Sequence, residues 1–168
     1  MPRVLFVLLL FLIGMDTSHA ASTGDTPPPL PRERVIIRAH DNPKGAPRAV
    51  FRAEIARTRE EQQRGLMNRP KLPKNNGMLF VFDPPATVGF WMKDTLIPLD
   101  MLFIDANGRI TKIYDQAEPH DESPISSGGD VRAVLEILGG EAEARGIQVG
   151  DNVFSPTLKK LSADQSRR

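Results

Sequence analysis

Apolar residues fall along this chain in short runs instead of long stripes. Met78 to Phe82 is apolar on both faces, and Leu99 to Ile104 and Val131 to Leu138 are two further strand-like runs. Runs of that length, bounded by turn residues, read as buried strands. Ala49 to Ala56 alternates instead, with Phe51, Ala53 and Ile55 on one face and Arg52 and Glu54 on the other, as a half-buried strand does. Val35-Ile36-Ile37 opens the folded unit, Phe90 to Met92 adds a short strand, and Val153-Phe154 closes the series. Asp83-Pro84-Pro85 is expected to end the strand begun at Met78, because proline cannot donate to a ladder. Asn107-Gly108 predicts a tight hairpin that returns the chain through Ile110 and Ile113. Gln116 to Asp130, rich in Pro, Ser, Gly and acid, reads as a long loop.

Helical signals are brief. Thr58-Arg59-Glu60-Glu61 forms a capping box, and Gly65 stops the helix that follows. Leu66 and Met67 then serve as apolar plugs against the sheet. Glu141 to Arg145 predicts a second helix, with Glu141 at its positive end, Arg145 at its negative end, and Gly146 turning left-handed so that Ile147 folds back. Two such pieces cannot cover a parallel sheet. The expected fold is mostly β (α+β): a small, mainly antiparallel β-barrel or sandwich with one or two short helices.

The termini differ from this core. Arg3, the uncharged apolar run Val4 to Ile13 and Ser18-His19-Ala20 have the layout of an export signal over residues 1–20, cleaved after Ala20. The run is about half the ~20 apolar residues of a membrane helix, which favours a cleaved signal over an uncleaved anchor. With no cysteine after it, lipoprotein modification is excluded. Residues 21–34 form a Pro-rich linker, 35–158 the β-rich domain and 159–168 a polar tail. The mature protein is expected to be periplasmic or secreted, without stable membrane insertion after signal cleavage. Lack of cysteine removes disulfides, thiol nucleophiles and thiolate metal sites, so an ordinary hydrophobic core must hold the fold. A formal charge of +1 with mixed signs supplies no basic stripe for nucleic acid.

Several segments in fixed order carry a resemblance: Arg64-Gly65-Leu66-Met67, Gly77-Met78-Leu79-Phe80, Phe90-Trp91-Met92-Lys93, Thr95, Ile97-Pro98-Leu99-Asp100, Val134-Leu135-Glu136, and then Gly146-Ile147, Gly150-Asp151 and Val153. Together, over about Val50 to Phe154, they resemble the domain of unknown function 192 (DUF192) family. The resemblance implies a small, single-domain, β-rich bacterial or archaeal protein, often exported. It implies no settled activity, cofactor or catalytic set.

Candidate chemistry concentrates in two places. Lys93, Asp94 and Thr95 follow Trp91 at the end of an apolar run, and in a strand Trp91 and Lys93 share a face. An aromatic platform beside an ammonium and a carboxylate suits a small ligand, with Arg64 as a further contact; the plainer reading is a polar turn paired in solvent. Asp100 and Glu136 are carboxylates enclosed by apolar neighbours. If they converge, one pKa rises and the pair can serve acid/base chemistry or an oxygen-donor metal site; otherwise each caps backbone amides or forms a structural ion pair with Arg64 or Lys93. No metal ligands or cofactor are assigned. His40 and His120 stand alone, and Met67, Met78, Met92 and Met101 could hold cuprous copper but suit core filling better. Ser126-Ser127-Gly128-Gly129 lacks the context of a nucleophile elbow, and no phosphate cradle is present. The leading expectation is a non-catalytic exported domain that binds a small molecule or an envelope protein. The alternatives are an envelope hydrolase or lyase using Asp100 or Glu136, and copper handling.

Overall fold

The computed structural model describes residues 28–165 and Arg167. The expected export signal and the first half of the expected linker, residues 21–27, lie outside the described residues. Seven strands form one sheet: β1 (Arg32–Arg38), β2 (Ala49–Ala56), β3 (Asn76–Phe90), β4 (Leu99–Ile104), β5 (Ile110–Ala117), β6 (Ile125–Leu138) and β7 (Asn152–Phe154). Three helices accompany them: α1 (Arg59–Arg64), α2 (Glu141–Ala144) and α3 (Pro156–Gln165). The spatial order is β5-β4-β6-β3-β2-β1-β7. All neighbours pair antiparallel except β2 and β3, which run parallel because α1 carries the chain back between them. The sheet curls far enough for its two edges to meet. Ile110 N–H donates to the Asp151 carbonyl at 3.0 Å, and Val153 N–H to that of Gly108 at 2.7 Å.

Alternation along each strand divides the apolar residues between two cores. Phe51, Ala53, Ile55, Leu79, Val81, Leu102, Ile104, Leu135 and Ile137 fill the concave side, which Ala142, Ile147 and Leu158 close at its ends. Met78, Phe80, Leu99, Met101, Phe103 and Val134 form the convex side, covered by Leu66, Leu72, Met92 and Ile97. Both faces of the central strands are therefore buried, including the positions of Asp100 and Glu136. Gly77 has no side chain for a packing reason: a Cβ there would lie 2.5 Å from the Glu136 carbonyl oxygen on β6.

Several boundaries differ from those expected. β3 does not end at Pro85; it breaks register after Val81, resumes at Ala86 opposite Val131, and runs on to Phe90. The irregular stretch absorbs the prolines, and Arg132 spans it by donating to Asp83 Oδ1 at 2.7 Å. The long loop expected from Gln116 shrinks to 118–124, since β6 starts at Ile125. Its Ser and Gly residues have little strand preference, but the second half of β3 supplies a partner: Ser127 Oγ accepts from Val88 N–H at 3.0 Å, and Thr87 Oγ1 donates to Asp130 at 2.7 Å. Trp91 and Met92 lie outside any strand. α3 occupies most of the segment read as a polar tail, making three helices in place of one or two; Ser155 Oγ caps it by accepting from Leu158 N–H, with Pro156 in its first turn. No helix among the described residues is long and apolar enough to cross a membrane.

Local signals elsewhere match the structure. Thr58 and Glu61 form the reciprocal capping box of α1, and Gly65 ends that helix with φ +46°. At the hairpin, the Asp105 carboxylate accepts from Asn107 and Arg109 N–H, both at 2.8 Å, while Gly108 takes φ +81°.

Asp100 is fully buried on the concave face and is a structural staple. Its Oδ1 accepts from Gln116 N–H (2.8 Å) and Gly140 N–H (2.9 Å), and its Oδ2 from Ala142 N–H (2.8 Å), tying the end of β5 and the start of α2 to β4. Replacing Asp100 by Ala leaves three amides without their acceptor. The expected loss is about 3 kcal/mol or more of unfolding free energy, checked by urea denaturation.

Candidate functional site

The convex face carries a polar row inside its apolar surface. Strand register aligns Arg32, Glu54, Met78, Glu136, Met101 and Tyr114 across the sheet. Glu54 and Glu136 thus stand on the same face two strands apart, about 9–10 Å at the backbone. Their fates differ. Glu54 is clamped: Arg69 grips it with two nitrogens at 3.0 and 2.7 Å, and Arg32 adds a contact at 2.7 Å. The Arg69 hydrogen bonds hold the Glu54 carboxyl below its ordinary range against the opposing effect of burial, with Arg32 assisting.

Glu136 receives no such help. It is 4 % exposed, and no hydrogen bond from a described residue reaches its carboxyl. Arg69 acts on it only through its field, since both its Nη atoms are engaged by Glu54. Burial therefore dominates and pushes Glu136 up to about 8, so that it is a neutral acid at neutral pH.

The carboxyl faces a cleft of about 540 Å³. One wall is α1 with the residues after it, contributing Arg59, Arg64, Leu66 and Met67. Gln62 fixes that wall by donating from Nε2 to the Val81 carbonyl at 2.8 Å. The other wall is the far part of β3 with the following turn, including Phe90, Trp91 and Thr95. Phe80 and Phe90 meet edge to face at 5.0 Å, giving an aromatic lining of fixed geometry.

The 91–95 turn is held on three sides. Met92 is buried, donates to the Asp121 carbonyl at 2.7 Å and accepts from Thr95 N–H at 3.0 Å. His120 N–H reaches the carbonyls of Met92 and Thr95 at 3.1 and 3.2 Å. Asn68 N–H donates to the Asp94 carbonyl at 2.7 Å, which links the turn to the opposite wall. These bonds pull the chain out of the sheet after Phe90, so Trp91 and Lys93 do not share a strand face. They meet nevertheless, with Lys93 Nζ 5.5 Å from the centre of the Trp91 ring.

The residues singled out from sequence therefore separate into groups. Trp91, Thr95, Arg64 and Glu136 converge on the cleft. Lys93 joins its rim only by lying on Trp91. Asp94 is exposed, has φ +53° and contributes its backbone carbonyl, and it is not among the residues lining the cleft. Asp100 and Glu136 do not converge: Asp100 stands opposite Ile137 and Glu136 opposite Met101, which sends them to opposite faces of the sheet. An acid/base pair or shared metal site built from these two is thereby removed. Neither forms an ion pair with Arg64 or Lys93. Met78, Met92 and Met101 are wholly buried in the convex core, while Met67 is partly exposed in the cleft. Sequence reasoning missed the aromatic wall of Phe80, Phe82 and Phe90 and the Glu54–Arg69 clamp. Phe80 and Phe82 share a face by simple alternation, but only the parallel register of β2 with β3 puts Glu54 in line with Glu136.

A family model, DUF192, described as "Uncharacterized ACR", matches residues 39–154. The chain belongs to the DUF192 family. It is similar to a crystal structure from Sinorhizobium meliloti 1021, named for transcription regulation, at 34% identity and a TM-score of 0.72, covering 77% of this chain and 97% of that one. It is also similar to a protein of unknown function from Novosphingobium aromaticivorans DSM 12444, at 38% identity and a TM-score of 0.69, covering 77% and 94%. No curated protein matches.

Glu136 gives this domain a specific pH signature. Unfolded, the side chain ionises near 4.5; folded, it keeps its proton to about 8. Between those values the folded chain binds one more proton, so its stability falls as pH rises, by about 1.4 kcal/mol per unit. Glu54 has the opposite sign and loses its contribution only as pH falls below the ordinary carboxylate range. Denaturation of wild type and Glu136→Gln between about pH 5 and 8 should show the variant lacking that downward slope.

Proposed function

We propose that this protein binds a small amphipathic ligand in the cleft between α1, the 91–95 turn and the convex sheet face. One observation supports the reading: Glu136 is buried, has no hydrogen-bond partner among the described residues and opens onto an aromatic-walled cavity of ligand size. Leaving a buried polar group unmatched costs about 1–3 kcal/mol, and a ligand group placed there recovers it. Phe80, Phe90 and Trp91 offer the ligand's apolar part a surface; Arg64 and Thr95 offer polar contacts at the sides. Binding is favoured over catalysis because Glu136 has no second acid or base opposite it, Asp100 being committed to three backbone amides. The regulator name of the Sinorhizobium protein is not carried over, since the groups left unmatched here are in a cleft and the formal charge is only +1.

Trp91 is the chain's single tryptophan and is about half exposed at the cleft, so its emission reports on the site directly. A ligand found by screening Trp91 emission and melting temperature should bind Glu136→Leu at least tenfold more weakly, although that variant folds at least as stably. Equal affinity in the two proteins overturns the reading. Recovery of a chemically altered ligand replaces binding with catalysis by Glu136 as a single acid.

We also infer export, supported by Arg3, the apolar run Val4 to Ile13 and the small-residue site before Ala21. Protein recovered from the envelope or medium of a bacterial host should have the mass of a chain starting at Ala21. A full-length chain confined to the cytosol overturns it.

A further inference from the structure

We propose, building on the cleft reading above, that the ligand is a small organic anion: a carboxylate on an apolar body, met by Arg64 at the mouth and by a hydrogen donated from Glu136 at the floor. The argument is an inventory of what the cleft leaves unused. Among its lining residues the charged groups are Arg59, Arg64 and Glu136, so a neutral Glu136 leaves the lining positive. Neither the Arg59 nor the Arg64 guanidinium donates to a described residue, and Arg64 acts on Glu61 through its field alone, the Glu61 carboxylate being already taken by the backbone amides of Arg57 and Thr58. Five arginines elsewhere are committed to carboxylates: Arg69 and Arg32 to Glu54, Arg132 to Asp83, Arg48 to Asp151, Arg145 to Glu141. Lys93 on the Trp91 ring adds a cation at the rim.

The hydrogen-bonding balance points the same way. A guanidinium is donor-only, the Trp91 indole is donor-only, and a protonated carboxyl supplies a strong O–H donor. Gln62 has already given its amide hydrogens to backbone carbonyls and Thr95 its hydroxyl hydrogen to the Lys93 carbonyl, so the donors left for a ligand are those of Arg59, Arg64, Trp91 and the protonated Glu136. An acceptor-rich anion fits them. An amine would have to ionise Glu136 and approach it past Arg59, Arg64 and Arg69. Of the charged groups around Glu136, Arg69 acts on it through its field, Arg59 and Arg64 on α1 share its cleft, and Glu54 on β2, held by Arg69, stands two strands away; β3 and β4 place Met78 and Met101 at its flanks. Glu136 is therefore the group that changes charge near pH 8, and its ionised form repels a bound carboxylate.

The test titrates Trp91 emission with two isosteric pairs, phenylacetate against phenethylamine and octanoate against octylamine, on the mature chain between about pH 6 and 9. The expected result is that the acids bind in preference to the amines, with affinity falling toward tenfold per unit above about pH 8. Arg64→Gln should weaken the acids at least tenfold without changing the melting temperature, and Glu136→Gln should keep binding but flatten the pH dependence. Preference for the amines, or acid affinity indifferent to both substitutions and to pH, overturns the anion assignment while leaving the cleft reading intact. Absence of any response in emission or melting temperature to all four at millimolar concentration overturns both.

Discussion

A sheet buried on both faces leaves no water to solvate a charge, and that constraint governs everything polar in this molecule. Each carboxylate set into the central strands must find donors or give up its ionised form. Asp100 finds three backbone amides and becomes the pin that joins β4, the end of β5 and the start of α2. Glu54 finds two arginines. Glu136 finds none within bonding distance and stays neutral. Three acids in comparable apolar surroundings thus reach three different states, and only the last leaves valence to spare.

The fold leaves that exception open to a cleft. A continuous third layer over the convex face would have sealed Glu136 into the core. The cover here is discontinuous: α1 and the residues after it on one side, the 91–95 turn on the other, joined by the Asn68–Asp94 backbone bond. The gap between them is the cleft. Its walls are anchored by backbone hydrogen bonds and a buried Met92, so the aromatic lining is already organised, which would limit the ordering cost of the proposed binding.

Much of the fold is legible in local sequence. The bounds of β2 and β4, the capping box of α1, the Asn107-Gly108 hairpin and the Gly146 turn after α2 all follow from short-range rules that depend on few neighbours. Features that depend on a distant partner are not. Ser126 to Asp130 becomes strand because β3 extends past its prolines to meet it, and α3 forms where polar composition suggests a tail although Ser155-Pro156 marks its start. Trp91 and Lys93 come together through a turn that Asp121 and His120 organise from outside.

What the sequence settled by itself was the alternation that gives each strand its two faces, and hence that Asp100 and Glu136 are enclosed by apolar neighbours. It could not tell which of them was matched. That depends on strand register, because a one-residue step along β6 decides which face a side chain joins, and on which backbone amides and guanidiniums the tertiary packing brings to that face. Only the folded chain sends Asp100 inward to three donors and leaves Glu136 outward beside an arginine already spent on Glu54.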